Sequence, residues 1–206
     1  MEAFLNLSQP LFLGSNSPRR KEILHSAGFH FTVLPANIEE NFDENMALEE
    51  VPVFLSQKKA KALIETGIPS GIVLTADTVV IVENQILNKP KDKSEALQML
   101  SLLSGKTHKV VTGFAIEGPN ISIADSDEAF VTFRKLEQWE MEFYVKSGTA
   151  MDKAGAYGIQ DFIGMVGIEK LEGSFYTVMG LPIFKVYQAL KPFVLEGREL
   201  IMNYEL

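Results

Sequence analysis

Leu11-Phe12-Leu13-Gly14-Ser15-Asn16-Ser17-Pro18-Arg19-Arg20 joins a short apolar run to a helix start. Leu11 to Leu13 reads as a buried strand that ends at Gly14. Ser17 suits a helix N-cap and Pro18 suits the first helical position, where a missing N–H costs nothing. The helix then runs through Glu22, Ile23, Leu24 and Ala27, and Gly28 stops it. A strand turning directly into a capped helix is the opening of an α/β chain.

Working outward, Phe29 to Leu34 alternates and predicts a second strand. Ala36 to Asn45 is acidic and irregular. Leu48 to Glu65 predicts a long helix, with Val51, Leu55, Ala62 and Leu63 as its apolar positions. Ile72 to Leu74 and Val79 to Val82 read as strand text around Thr75-Ala76-Asp77-Thr78, and Glu83-Asn84-Gln85 as a hairpin turn. Ser94 to Leu103 is helical up to Gly105. Lys106 to Ile116 and Ala129 to Phe133 predict strands, and Leu136 to Lys146 a helix. After Gly148 the chain turns Gly-rich, with Met165 to Leu171 as its clearest strand and Ile183 to Phe193 as the last helix. Strands and helices interleave and several strand pairs are hairpin-like, so the expected sheet is mixed rather than purely parallel. A soft division is expected near Gly118–Asn120 or after Gly148, neither an independent domain boundary.

Composition narrows the function. The chain has 206 residues with 46% hydrophobic and 22% charged side chains, values of a folded globular protein. Its net charge of −8 makes it a poor partner for a nucleic-acid backbone, where binding comes largely from phosphate neutralisation. Any affinity for anions must therefore be local. With 0 Cys, disulfides, Cys-ligated zinc, iron–sulfur clusters and thiol nucleophiles are excluded. No apolar run approaches the ~20 residues of a spanning helix. The start, MEAFLNLSQPLFLG, lacks the basic segment of a secretory signal. A soluble cytoplasmic protein is expected.

Several residues can carry chemistry. Ser15, Ser17, Arg19 and Arg20 sit at a helix N-terminus, where free N–H groups and the dipole favour an anion. The same residues also describe an ordinary capped helix with two solvated arginines. Asp77 between two apolar strands is costly unless paired. It reads as a metal ligand or general base, or as a turn Asp capping backbone amides. Lys89, Lys59 and Lys153 are point charges suited to phosphates, and each also reads as a surface lysine. Glu39-Glu40 offers a second metal carboxylate or a plain acidic loop. Tyr157 and Gln160 offer a ring face and an amide to a base, with core packing as the alternative. His25, His30 and His108 lack metal-ligand spacing and read as structural. Together these residues favour an anionic ligand with a divalent cation.

The joint pattern resembles a known family. Leu13 to Leu24, then Gly28, resembles the N-terminal signature of the Maf family of nucleoside triphosphate pyrophosphatases. Glu39-Glu40, Gln57-Lys58-Lys59-Ala60, Ala76-Asp77-Thr78-Val79-Val80, Lys89-Pro90, Leu103 to Val110, Val111-Thr112-Gly113, Asp152 to Gln160 and Gly180-Leu181-Pro182 follow in the family's order. The likeness runs from about Leu11 to Tyr187, and an ordered series is more specific than any one motif.

The resemblance implies one Maf-like domain over residues 1–206, with a mixed, twisted α/β sheet flanked by helices and two lobes around a central cleft, inosine triphosphatase-like. It implies hydrolysis of a nucleoside triphosphate to monophosphate and pyrophosphate with a divalent metal, Mg or Mn. By the same likeness Asp77 is the proton acceptor, Ser15, Arg19, Arg20, Lys59 and Lys89 hold phosphates, and Glu40 with Asp77 contacts the metal; Lys153 is a further expected substrate-binding residue. Arg19, Thr78 and Gln160 match the specificity positions of the branch acting on dTTP and UTP. Gly14, Asn16 and Thr177 depart from the family pattern. The expected partner is a small-molecule nucleotide, with neither nucleic acid nor membrane; a homodimer is left open. Rival readings are the same chemistry on a modified nucleotide, a nucleotide-binding regulator of cell division with little turnover, and a plain phosphate-binding structural domain.

Overall fold

The computed structural model describes residues 5–67 and 70–195. β1 (Leu11–Leu13), α1 (Pro18–Ser26), β2 (Thr32–Val33), α2 (Val51–Glu65), β3 (Ile72–Val82), β4 (Gln85–Leu87), α3 (Lys93–Leu103), β5 (Thr107–Gly118), β6 (Ile121–Phe133), α4 (Gln138–Lys146), α5 (Phe162–Gly167), β7 (Ile168–Glu172), α6 (Phe175–Met179) and α7 (Ile183–Leu190) follow in chain order. One seven-stranded sheet runs β2-β1-β3-β5-β6-β7, with β4 paired to β3. β1 pairs in parallel with β2 and β3, and the remaining pairings are antiparallel. The expected mixed α/β sheet flanked by helices is therefore the observed one. Among the described residues no helix is long and apolar enough to cross a membrane.

The local signals act as the residues dictate. Ser17 caps α1 with its side chain, and Gly28 takes the left-handed backbone (φ 88°) that ends it. Glu83 and Asn84, both at positive φ, make the tight β3–β4 turn.

Four expectations are corrected. β2 is only Thr32–Val33. β3 is one unbroken strand through Asp77, not two strands around a turn, because the carboxylate finds a cationic partner on α2. Gly118–Asn120 is no division but the turn of the β5–β6 hairpin, paired in register from Thr107↔Thr132 to Gly118↔Ile121. Met165 to Gly167 is helical, and the strand starts only at Ile168.

Side-chain alternation along β3 organises the interior. Its odd positions face α2: Val73 packs with Ala60 and Leu63, and Val79 and Ile81 with Val51 and Leu55. Its even positions serve two separate clusters on the opposite face. Ile72, Leu74 and Ala76 join Phe114, Ile116 and residues of α1 and α7. Val80 and Val82 join Val110, Val131 and residues of α3 and α4. Thr78 stands between those clusters. Directly beside it across the sheet lie Thr112 and then Asp127, so a polar row divides the two apolar masses. Each buried Leu or Ile in them contributes about 1.5–3 kcal/mol, and the seam between them is where the surface opens into a cleft.

Candidate active site

The cleft has a volume of about 640 Å³, within the range of small-molecule sites. Ser15, Arg19, Arg20, Glu40, Lys59, Asp77, Thr78, Lys89, Lys153 and Gln160 all line it. Five cations and three carboxylates reach its walls, so a chain of net charge −8 presents a net positive cavity. Positive side chains are thus concentrated locally.

α2 delivers the first key group. Its sheet-facing stripe is Pro52, Leu55, Ser56, Lys59, Ala60 and Leu63, so Lys59 occupies a position that is otherwise apolar or small. A buried lysine is tolerated only with partners. Lys59 Nζ donates to Asp77 Oδ1 at 2.6 Å and lies 2.7 Å from Glu40 Oε1. Gly113, paired opposite Asp77 on β5, lets the helix come this close: a Cβ there would lie 2.3 Å from Val53 N and 2.6 Å from Pro52 O. Gly14 serves the same packing, since a Cβ on it would meet Thr75 Cγ2 at 2.6 Å and Leu63 Cδ1 at 2.7 Å. That accounts for glycine at this departure from the family pattern. Thr75 Oγ1 adds a bond to Ser56 O at 2.6 Å.

Glu40 comes from the irregular segment before α2. Lys58 Nζ holds that segment through Glu39 O at 2.8 Å and Asn41 O at 3.2 Å. Desolvation raises the Glu40 carboxyl, but the Lys59 hydrogen bond and the charges of Lys59, Lys89 and Arg20 outweigh it, and its pKa lies below the ordinary value.

α1 supplies two arginines with different roles. Arg20 donates from Nε to Gly180 O (2.8 Å), from Nη1 to Ser15 Oγ (3.3 Å) and from Nη2 to Thr78 Oγ1 (3.1 Å). All three acceptors are neutral, and two of its five N–H groups stay free. Burial pulls its pKa down, partly offset by Asp77. Thr78 continues to Thr112 at 3.0 Å, and Thr112 donates to Thr177 O at 2.7 Å. The Thr177 hydroxyl in turn donates to Asp127 Oδ2 at 2.5 Å. Thr177, another departure from the family pattern, thus anchors α6 to β6.

Arg19 spans the cleft mouth to Asp152, with Nη1 at 2.9 Å from Oδ2 and Nη2 at 3.3 Å from the carbonyl. Asp152 also accepts from Lys153 Nζ at 2.6 Å. Desolvation raises the Asp152 carboxyl, but these bonds from Lys153 and Arg19 outweigh it and lower its pKa. Lys153 is further bound to Thr149 O and lies 3.2 Å from Asp161 Oδ2. Its three donors are therefore committed within the protein. Lys89 is exposed and makes no ion pair among the described residues, so its charge is free for a ligand.

Gln160 Oε1 is buried without a hydrogen-bond partner, in the wall of a cleft. Tyr157, 5% exposed, lines the same wall and bonds His108 Nε2 at 2.7 Å. Burial lowers the His108 pKa to about 4, so this histidine is neutral and structural, as its spacing suggested. His25 and His30 are exposed.

Glu39 apart, the structure thus brings the sequence-predicted site residues to one cleft, but not in one state. Lys89 and Arg20 keep free donors, whereas Arg19 and Lys153 are tied to carboxylates. Sequence reasoning missed Asp152, which organises both, although it adjoins Lys153. It also missed Lys58, which fixes the Glu40 segment, and the Thr112–Thr177–Asp127 extension of the seam.

Chemically, two carboxylates of different segments converge on one cation beside a Ser/Arg anion cradle. Asp77 and Glu40 are hard oxygen donors aimed at one point, and such a pair suits a divalent cation that completes its shell with phosphate oxygens and water. No group of three or more His, Cys, Asp or Glu placed to hold a metal ion together is found among the described residues. The residues fit a substrate-completed site.

Comparison with known proteins is consistent with this geometry. Residues 10–193 match the family model "Maf-like protein". A "dTTP/UTP pyrophosphatase" of Porphyromonas gingivalis is 44% identical over 187 residues, covering 89% of this chain and 94% of that protein. Proteins of the same name from Phocaeicola vulgatus (88% and 94% covered) and Bacillus pumilus (89% and 96% covered) are each 40% identical over 183 residues.

Proposed function

The chain belongs to the Maf family, and on that premise we propose that it is a nucleoside triphosphate pyrophosphatase hydrolysing dTTP and UTP to the monophosphate and pyrophosphate. The observation that carries this reading is the convergence of Asp77, Glu40 and Lys59 in the cleft that also holds the Ser15–Arg20 cradle.

The chemistry follows from what each group can do. A triphosphate repels an incoming nucleophile, so its charge must be neutralised, most strongly where it shifts in the transition state. Lys89, with no ion-pair partner among the described residues, is a point charge for the departing pyrophosphate. Arg20 is fixed by three neutral acceptors and directs its remaining donors into the cleft. Ser15 Oγ accepts from Arg20 Nη1 and from Ser17 N, and its own proton is free for a phosphate oxygen. Asp77 stands on the central strand β3, with Oδ1 bonded to Lys59 in the free protein. It orients a water toward the α-phosphorus and takes its proton as the new P–O bond forms. The bond from the α-phosphorus to the bridging oxygen breaks and pyrophosphate leaves. Asp77 and Glu40 would hold the divalent cation, Mg or Mn, which would add Lewis-acid polarisation of the phosphates.

Gln160 gives the base preference. An amide offers both a donor group and an acceptor, the complement of a carbonyl and the N3–H of thymine or uracil. The test is a nucleotide panel on purified protein with Mg²⁺ or Mn²⁺, scored for pyrophosphate and monophosphate. Release of pyrophosphate from dTTP and UTP above the purine nucleotides is expected. Release of single phosphates, or binding without turnover, would overturn the assignment.

A further inference from the structure

Lys59 has a role beyond holding phosphate. Its ammonium is 2.6 Å from Asp77 Oδ1 and 2.7 Å from Glu40 Oε1. They belong to the two carboxylates that would coordinate a divalent cation. A metal cannot share that position with an ammonium, because both would contact the same atoms at ordinary bonding distance and repel each other. Lys59 is 7% exposed and lies in the packed stripe of α2, so its nitrogen is not wandering among many partners.

We infer that Lys59 is the resident counterion of the free site, a built-in competitor that a divalent cation must displace. The inference rests on the pyrophosphatase reading, since it uses the same carboxylate pair. Charge counting makes the device coherent. One ammonium against two carboxylates leaves the pair one charge short of neutral, so the empty site is tolerated without closing on metal. A divalent ion neutralises both carboxylates and frees one ammonium. That ammonium then needs a new anion, and the phosphates of the substrate supply it. Metal and nucleotide therefore bind synergistically, each providing what the other displaces. No proton moves and no bond is broken in this exchange; only the partner of Nζ changes.

The sequence places Lys59 for this purpose. Lys58 next to it holds the backbone of Glu39 and Asn41, which keeps Glu40 within reach. Neighbouring lysines thus split the work, one on the loop's carbonyls and one on its carboxylate.

The experiment titrates Mn²⁺ into the full chain without nucleotide at pH 8, followed by electron paramagnetic resonance or calorimetry. Wild type is expected to bind weakly. Lys59→Met, near in shape but uncharged, leaves two facing carboxylates and is expected to bind Mn²⁺ at least tenfold more tightly. Adding Glu40→Gln to it should remove the gain. Equal or weaker Mn²⁺ binding by Lys59→Met would overturn the inference. A second readout needs no variant: Mn²⁺ added to wild type should raise the acylation of Lys59 by an amine reagent, and unchanged labelling would also overturn it. The nucleotide panel reads the pyrophosphatase activity separately, so turnover with no Lys59 effect, or the converse, tells which statement fails.

Discussion

Asp77 and Thr78 are neighbours on β3, yet they face opposite sides of the sheet and obey different rules. On the α2 side, Asp77 meets charge with charge: its partner is an ammonium that also serves Glu40. On the other side, Thr78 enters a row of neutral groups. Arg20 donates to Thr78, Thr78 to Thr112, and Thr112 to the Thr177 carbonyl. Each hydroxyl accepts from one neighbour and donates to the next, so the direction of the row is fixed. A charged pair can exchange partners when another ion arrives. A row of satisfied hydroxyls has nothing to exchange and holds Arg20 still. On the proposed reading, one face of the strand serves reaction and the other position.

The largest expected effect breaks the reactive face. Asp77→Asn keeps the shape but lacks a proton-accepting carboxylate, and turnover is expected to fall by about 10²–10⁴ with the fold intact. Near wild-type turnover of a folded Asp77→Asn protein would show that another group takes the proton. Next comes the seat of α2. Gly113→Ala places a methyl against Pro52 and Val53 backbone atoms. Backbone cannot rotate aside as a side chain can, so a loss of about 3 kcal/mol is expected, together with reduced activity because Lys59 rides on the displaced helix. Denaturant unfolding checks the first and steady-state assay the second. Unchanged values for both would mean that α2 has slack there.

How much of this could be read in the sequence depends on how local each cause is. The β1–α1 junction was legible because Ser17, Pro18 and Gly28 act on their own backbone. The Glu83-Asn84 turn was legible for the same reason. The continuity of β3 was not: Thr75 to Thr78 looks like a break until Lys59, 18 positions away, neutralises Asp77. Ser122 to Glu128 was not read as strand because it is polar and mostly exposed and its pairing comes from β5. Met165 and Val166 looked like strand because apolar and β-branched text suits either state, and α5 is too short to show a period. For the site, the residue types were legible and their gathering in one cleft followed. Their commitments were not, since Arg19 and Asp152 are 133 positions apart and only the fold joins them.

The positioning face also carries a buried histidine. His108 lies on β5, packed against Phe133 and bonded to Tyr157, with Nδ1 lacking a partner. Its pKa is about 4 in the fold against 6.5 ordinarily. Above pH 6.5 both states are neutral. As the pH falls from there through 4, the unfolded chain takes up a proton that the folded one refuses. Stability is therefore lost on acidification, by about 3 kcal/mol in total from this group. Unfolding free energies between pH 6.5 and 4.5 should slope more steeply for wild type than for His108→Gln. Equal slopes would mean that His108 titrates in the folded protein as it does in the unfolded chain.

The smallest expected effect tests the seam itself. Thr112→Val is nearly isosteric, but it removes the acceptor of Thr78 and the donor to Thr177 O. The Thr177 carbonyl keeps the Gly180 N–H at 3.1 Å, so the loss of these two hydroxyl bonds costs about 1–2 kcal/mol, readable as a shift of the unfolding midpoint. The functional consequence is sharper than the energetic one. Arg20 would keep its bonds to Gly180 and Ser15 but lose a fixed third partner, because Thr78 could then turn its hydroxyl elsewhere. Ground-state capture of the nucleotide should weaken, so KM rises several-fold while kcat, which rests on Asp77 across the strand, changes little. If kcat fell and KM stayed, the two faces of β3 would be coupled, and the division of labour between Asp77 and Thr78 would not hold.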